Sequence, residues 1–182
     1  SVIGVSYSLA AFPTLSRHFA DKNLKAFVEQ MVITARHIIF WSVPVTALFI
    51  VLRAQIVRVL LGTGRFDWND TRLTAAALAL FSLSAVFQSL ILLFVRAFYS
   101  AGHTRKPLII NLISTGILIL CTYGLVKLFY FSPDFRYFIS SLLRVEDLPG
   151  TAVLMLPLGY SIGTILNGII HWIGFEKDFG GF

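Results

Sequence analysis

Between Leu73 and Val95 the sequence carries no ionisable side chain. A helix of about 20 apolar residues is what a bilayer core demands. In hydrocarbon an open sheet would leave backbone N–H and C=O groups unpaired, so a run of this kind must close its hydrogen bonds within itself. A membrane-spanning helix is the expected structure, and the surrounding chain has to be compatible with lipid as its solvent.

The rest of the chain meets that condition. Of its 182 residues 57% are hydrophobic and only 13% are charged, whereas soluble domains are about half apolar and about a quarter charged. Four further stretches read as spans or parts of spans: Ser1 to Ser16, Ile38 to Leu52 with residues before it from Thr34, Leu108 to Val126, and Leu148 to Phe175. The run at Ser1 is expected to be the end of a span, and the chain a piece of a longer protein. The fold class expected is therefore all-α: a polytopic helical membrane protein of about five spans, the first one truncated. Pro13 and Pro44 fall inside two of these spans, where the lost backbone bond kinks a helix.

The formal net charge of +6 sits in the gaps between apolar runs. Basic gaps suit anionic lipid headgroups, so anionic membrane lipids are expected partners and nucleic acid is not. Three connectors have amphipathic spacing. From Asp21, Leu24, Phe27, Val28, Met31 and Ala35 share one face, as in a helix lying in the interface before turning into the next span, with ordinary packing of connecting helices the equal alternative for all three connectors. A second short helix from Ala54 ends at Gly62 and Gly64, and a third aligns Phe135, Phe138, Leu142 and Val145. The turn from Arg96 to Pro107, with His103, Arg105 and Lys106, contains no acid. It is expected on the cytoplasmic side, anchored by Arg96 and Tyr99 and stopped by Pro107.

Chemistry of the catalytic kind has no support. No Asp or Glu lies within a span, which removes the usual proton-relay carboxylates, and the single Cys121 can form neither an intrachain disulfide nor a thiolate metal site. No metal and no cofactor are expected. His171 reads as an interfacial anchor beside Trp172. Gln88, Asn111 and Asn167 are the polar residues best placed at membrane depth, with hydrogen bonding between helices as their default role.

FPTLSRHFADKN, RHIIFWSVPVTALFIVLRAQIVRVLLGTGRFD and RAFYSAGHTRKP, in that order, resemble the MurJ/MviN family of lipid II flippases, relatives of the MATE drug exporters. The matching features are Pro13 to Arg17, Val43-Pro44, Gln55 to Phe66 and Arg96 to Pro107, and the likeness covers residues 1 to 126 well and Leu158 to Phe179 loosely. The resemblance implies a MATE-like fourteen-helix fold, of which this chain supplies the end of the eighth helix through the twelfth. It implies a lipid-linked peptidoglycan precursor as substrate, alternating access as mechanism, the bacterial inner membrane as location and the protein's own first lobe as partner. Arg17, Arg53 and Arg96 are then the candidates for substrate contact or gating, Arg96 foremost, because a guanidinium fork donates bidentate bonds to a diphosphate. Snorkelling to lipid phosphates is the competing role for each. Gln88, Asn111, Thr164 and Asn167 are the candidate polar contacts within spans. The family's eleventh helix can carry an Asn and an Asp of a sodium site; here NLISTGILILCTYGLV has no Asp and places Tyr123 near that Asn. The connector from Phe131 to Gly150 is longer than the resemblance leads one to expect, and is expected to add an interfacial helix on the outer face. A related exporter of a drug or polysaccharide-lipid, and a non-transporting membrane scaffold, are the alternative functions.

Overall fold

A computed structural model describes residues 2–62 and 67–180. Among the described residues seven α-helices follow one another: α1 (Val2–Ala20), α2 (Leu24–Val51), α3 (Arg53–Leu61), α4 (Trp68–Ser100), α5 (Arg105–Phe131), α6 (Pro133–Leu143) and α7 (Met155–Phe179), with a 3₁₀ turn over Thr151–Leu154. Four helical stretches are long and apolar enough to cross a membrane: α2, α4, α5 and Thr151–Phe179. The 19-residue α1 is not in that set and packs against α2 and α4. Gly64, Arg65 and Phe66, expected at the end of the second amphipathic connector and in the family-like segment, lie outside the described residues.

The long helices run alternately up and down, so two ends can be distinguished. The basic end holds the α1–α2 turn, the α4–α5 turn and the end of α7. The opposite end holds α3, the start of α4, α6 and the start of α7. At the basic end Leu15, Phe27, Met31, Ile38, Leu93, Phe98 and Phe175 are completely buried in one apolar cluster. Its centre is aromatic: the Phe175 and Phe179 ring centroids lie 4.8 Å apart, and Phe27 lies 5.2 Å from Phe179. At the opposite end Ile139, Leu143, Val145 and Leu148 of the connector close over Leu80, Phe129, Leu154 and Met155.

Three sequence-based expectations are corrected. The interfacial helix from Asp21 does not turn into a separate span; α2 is one 28-residue helix, capped by the Asn23 side chain, which accepts from the Ala26 N–H at 3.1 Å. Phe27, Met31, Ala35 and Ile38 form a single buried row that continues into the span, so the stripe packs on protein instead of floating on headgroups. Pro107 does not stop the basic turn. It is buried in the first turn of α5, where a missing N–H costs nothing. The turn itself is only Ala101–Thr104: α4 runs through Arg96 and Tyr99 to Ser100, and Gly102 at φ 73° lets the His103 N–H return to the Phe98 carbonyl at 2.9 Å. Nor is His171 an interfacial anchor, since it is fully buried and sits edge-on to Phe98 at 6.4 Å.

Two ion pairs fix the ends. Lys106 Nζ, in the first turn of α5, meets Asp178 of α7 at 2.5 Å. Arg72, one turn into α4, donates from both terminal nitrogens to Asp147 at 2.8 Å and also to the Arg144 carbonyl. These bonds from Arg72 hold the Asp147 carboxyl below its ordinary pKa. Helices approach closely at two seams: a Cβ at Gly4 of α1 would lie 2.6 Å from the Ser89 Cα of α4, and α5 meets α7 at Gly159 and Gly163. A Cβ at Gly159 would lie 2.3 Å from Thr122 Oγ1 and 2.9 Å from its Cα, and one at Gly163 would lie 2.7 Å from Leu118. Small residues allow such approach in lipid, where dispersion replaces the hydrophobic drive.

Gly159→Val therefore forces α5 off α7. A loss of about 1–3 kcal/mol is expected, as for overpacking elsewhere, read as an earlier thermal midpoint in detergent. A carboxyl held below its ordinary pKa stabilises fully above the unfolded-state value and stops doing so as pH falls through the lowered one. Hydrogen-exchange protection over 143–150, corrected for intrinsic rates, should thus fall only in acid below about pH 4. Asp147→Asn should show the same loosening at neutral pH.

Candidate functional site

Helical periodicity brings polar side chains from three helices to one place. On α4, Gln88 and Leu92 stand a turn apart. On α5, Asn111, Ser114, Thr115 and Leu118 share a face, and on α7 Tyr160, Gly163, Thr164 and Asn167 do the same. Between them lies a cleft of about 350 Å³, lined by Gln88, Ile91, Leu92, Ser114, Thr115, Leu118, Tyr160, Gly163, Thr164 and Asn167. It exists because α5 packs on α7 along its length but touches α4 little. The glycines that let α5 and α7 close up leave the space on the α4 side unfilled.

Hydrogen bonding inside the cleft is incomplete. Asn167 Nδ2 donates to Asn111 Oδ1 at 3.0 Å, the interhelical bond expected of both residues. Gln88 instead bonds within α4, donating to Ser84 Oγ at 2.9 Å, and Thr164 bonds back to the Tyr160 carbonyl at 2.8 Å. Two buried atoms are left over: Ser114 Oγ, on a residue 3% exposed, and Asn167 Oδ1 have no partner among the described residues. No carboxylate, lysine or arginine lines the cleft. Its chemistry is that of neutral amides and hydroxyls, able to donate and accept hydrogen bonds at membrane depth.

The four polar candidates thus meet in or beside one cleft, whereas the three arginines do not converge. Arg17 on α1 is exposed and 4.0 Å from Asp21 at the basic end. Arg53 opens α3 at the opposite end. Arg96 is half-buried on α4, on the row Gln88–Leu92–Arg96, one turn beyond the cleft towards the basic end. Tyr123 is 58% exposed, with Lys127 Nζ 4.8 Å above its ring, and so faces away from the cleft. Ser114, Thr115 and Tyr160 were not singled out from sequence. Their three- and four-residue spacing from Asn111 and Thr164 was the available signal.

Comparison with known proteins places this arrangement. Residues 1–132 match the model of the family described as lipid II flippase MurJ. The matched region ends at Ser132, the cap of α6, so the connector and α7 follow it. A probable lipid II flippase MurJ of Thermotoga maritima is 24% identical over 97% of this chain and 42% of its own length. That of Bdellovibrio bacteriovorus is 30% identical over 64% of the chain and 22% of its length, and that of Rhizobium meliloti is 27% identical over the same shares. The chain spans less than half the length of these curated relatives. No solved structure matches. With the match running unbroken from α1 through α5, four of whose helices frame the buried core described above, this chain belongs to the lipid II flippase MurJ family.

Proposed function

We propose that this chain is part of the second lobe of a fourteen-helix flippase, from the end of its eighth helix through its twelfth. The whole protein moves an undecaprenyl-linked peptidoglycan precursor across the bacterial inner membrane by alternating access. The observation that carries the proposal is the family match over residues 1–132, which covers α1 to α5. The polar cleft supports it, because hydrogen-bonding groups left unpaired at membrane depth are costly in hydrocarbon and call for a polar partner in that space. The arginines that would bind the precursor's diphosphate belong mostly to the first lobe and are supplied by the remainder of the protein.

Within this piece Arg96 is the gating residue. It follows Leu92 by one turn at the mouth of the cleft, at the end where Arg105 and Lys106, just after the turn Ala101–Thr104, are the basic residues expected on the cytoplasmic side. It takes part in none of the three ion pairs among the described residues, so its guanidinium is available to an anionic group arriving at that mouth. Arg17 and Arg53, at the membrane boundaries of other helices, serve the lipid headgroups.

The test uses the full-length parent in bacteria depleted of their own lipid II flippase, following growth and the amount of precursor accessible on the outer leaflet. Restored growth and accessibility are expected. Their failure despite good membrane expression would assign the protein to another lipid-linked substrate or to a scaffold. In the same cells Arg96→Ala should cut precursor accessibility severalfold at unchanged expression, and unchanged accessibility would end the gating role.

A further inference from the structure

The connector after α5 holds a surface apart from the polar cleft. Leu108 to Val126 is free of charge and rises about 28 Å at about 1.5 Å per residue, close to the ~30 Å hydrocarbon thickness. Lys127 thus marks the level at which α5 leaves the hydrocarbon, and α6 begins at Pro133 with only Ser132 between the helices. Helix α6 lies at the level of the headgroups.

Its side chains are sorted accordingly. Phe135, Ile139 and Leu143, one turn apart, pack into the apolar cluster at this end. Phe138 and Leu142, the row immediately beside them, carry on the apolar sector but are 61% and 63% exposed. Asp134, Arg136, Ser141 and the 67% exposed Tyr137, whose ring ends in a hydroxyl, lie round the rest of the helix. Directly below, Tyr130 is 74% and Phe131 89% exposed at the end of α5, beside a groove of about 580 Å³ lined by Gly124, Val126, Lys127, Leu128, Tyr130 and Phe131. The helix cannot rotate to hide these rings. Arg144, in the left-handed conformation at φ 58°, ends it, and the Val145 N–H bonds back to the Ser140 carbonyl at 2.8 Å. Val145 itself is completely buried, and Arg72 holds Asp147 and the Arg144 carbonyl just beyond. Phe138 and Leu142 on a rigidly held helix, with the exposed Tyr130 and Phe131 rings of α5 beside an apolar groove rimmed by a lysine, match the bilayer interface: aromatic rings favour the headgroup boundary, and amphipathic helices lie in it.

We infer that α6, with Tyr130 and Phe131, is an interfacial anchor. Phe138 and Leu142 enter the lipid at the end opposite the basic turn, Lys127 meets headgroup phosphates, and the Arg72–Asp147 pair transmits this grip to α4. The inference concerns a bilayer contact and stands whether or not the parent protein flips lipid II.

The test is spin labelling of the full-length parent, with Cys121→Ser and any other cysteines removed, in vesicles of phosphatidylethanolamine and phosphatidylglycerol. Nitroxides are attached one at a time at Phe138→Cys, Leu142→Cys and Ser141→Cys, all exposed positions whose replacement leaves the core intact. At Phe138 and Leu142, collisions with dissolved oxygen should exceed those with a water-soluble nickel chelate severalfold, and Ser141 should show the reverse. Equal access of the nickel chelate to all three would place α6 in water and overturn the inference. Phe138 and Leu142 shielded from both reagents would overturn it too, showing that protein covers this face.

Discussion

Hydrocarbon gives apolar side chains no reason to leave it, so helices in lipid stay together only through close contact and internal polar bonds. In this chain both converge on α7. Gly159 and Gly163 bring it against α5 at distances a Cβ would not survive, and Ser161 donates a buried hydrogen bond to the Leu80 carbonyl of α4. The remaining helices arrange themselves around that axis. α1 and α2 attach to α4, and α3 and α6 cap one end. The aromatic cluster of Phe27, Phe98, Phe175 and Phe179, with Leu15, Met31, Ile38 and Leu93 around it, fills the other end between α1, α2, α4 and α7.

Much of this was legible in the sequence because spans announce themselves by length and charge. Leu73–Val95 and Leu108–Val126 fall wholly inside α4 and α5, and the short helices α3 and α6 appear where amphipathic spacing placed them. What misled was the meaning of that spacing. An apolar stripe from Phe27 to Ile38 reads alike whether it faces lipid headgroups or a neighbouring helix, and only the position of α4 and α7 decides. The same ambiguity hid His171, whose neighbour Trp172 signals an interface while its own ring is enclosed by Phe98.

The candidate site was half legible. Gln88, Asn111, Thr164 and Asn167 stood out as polar groups in apolar runs, and they do surround one cleft. Ser114, Thr115 and Tyr160 did not, because hydroxyls are common in spans and usually bond to their own helix, as Thr115 does to the Asn111 carbonyl at 2.8 Å. That Ser114 lacks such a bond depends on where α5 sits against its neighbours. The pairing of Arg72 with Asp147 spans 75 positions and no local pattern encodes it.

Asp178 in the last turn of α7 is committed to Lys106 of α5, and Asp147, in the connector eight residues before α7 begins, to Arg72 of α4. Packed interfaces in moving proteins often shift by sliding, up to a full helical turn of about 5.4 Å. Here a slide of α7 along α5 would pull apart the Lys106–Asp178 contact. That pair ties the register of α7 to α5 at the basic end, while Arg72 ties the connector before α7 to α4 at the other.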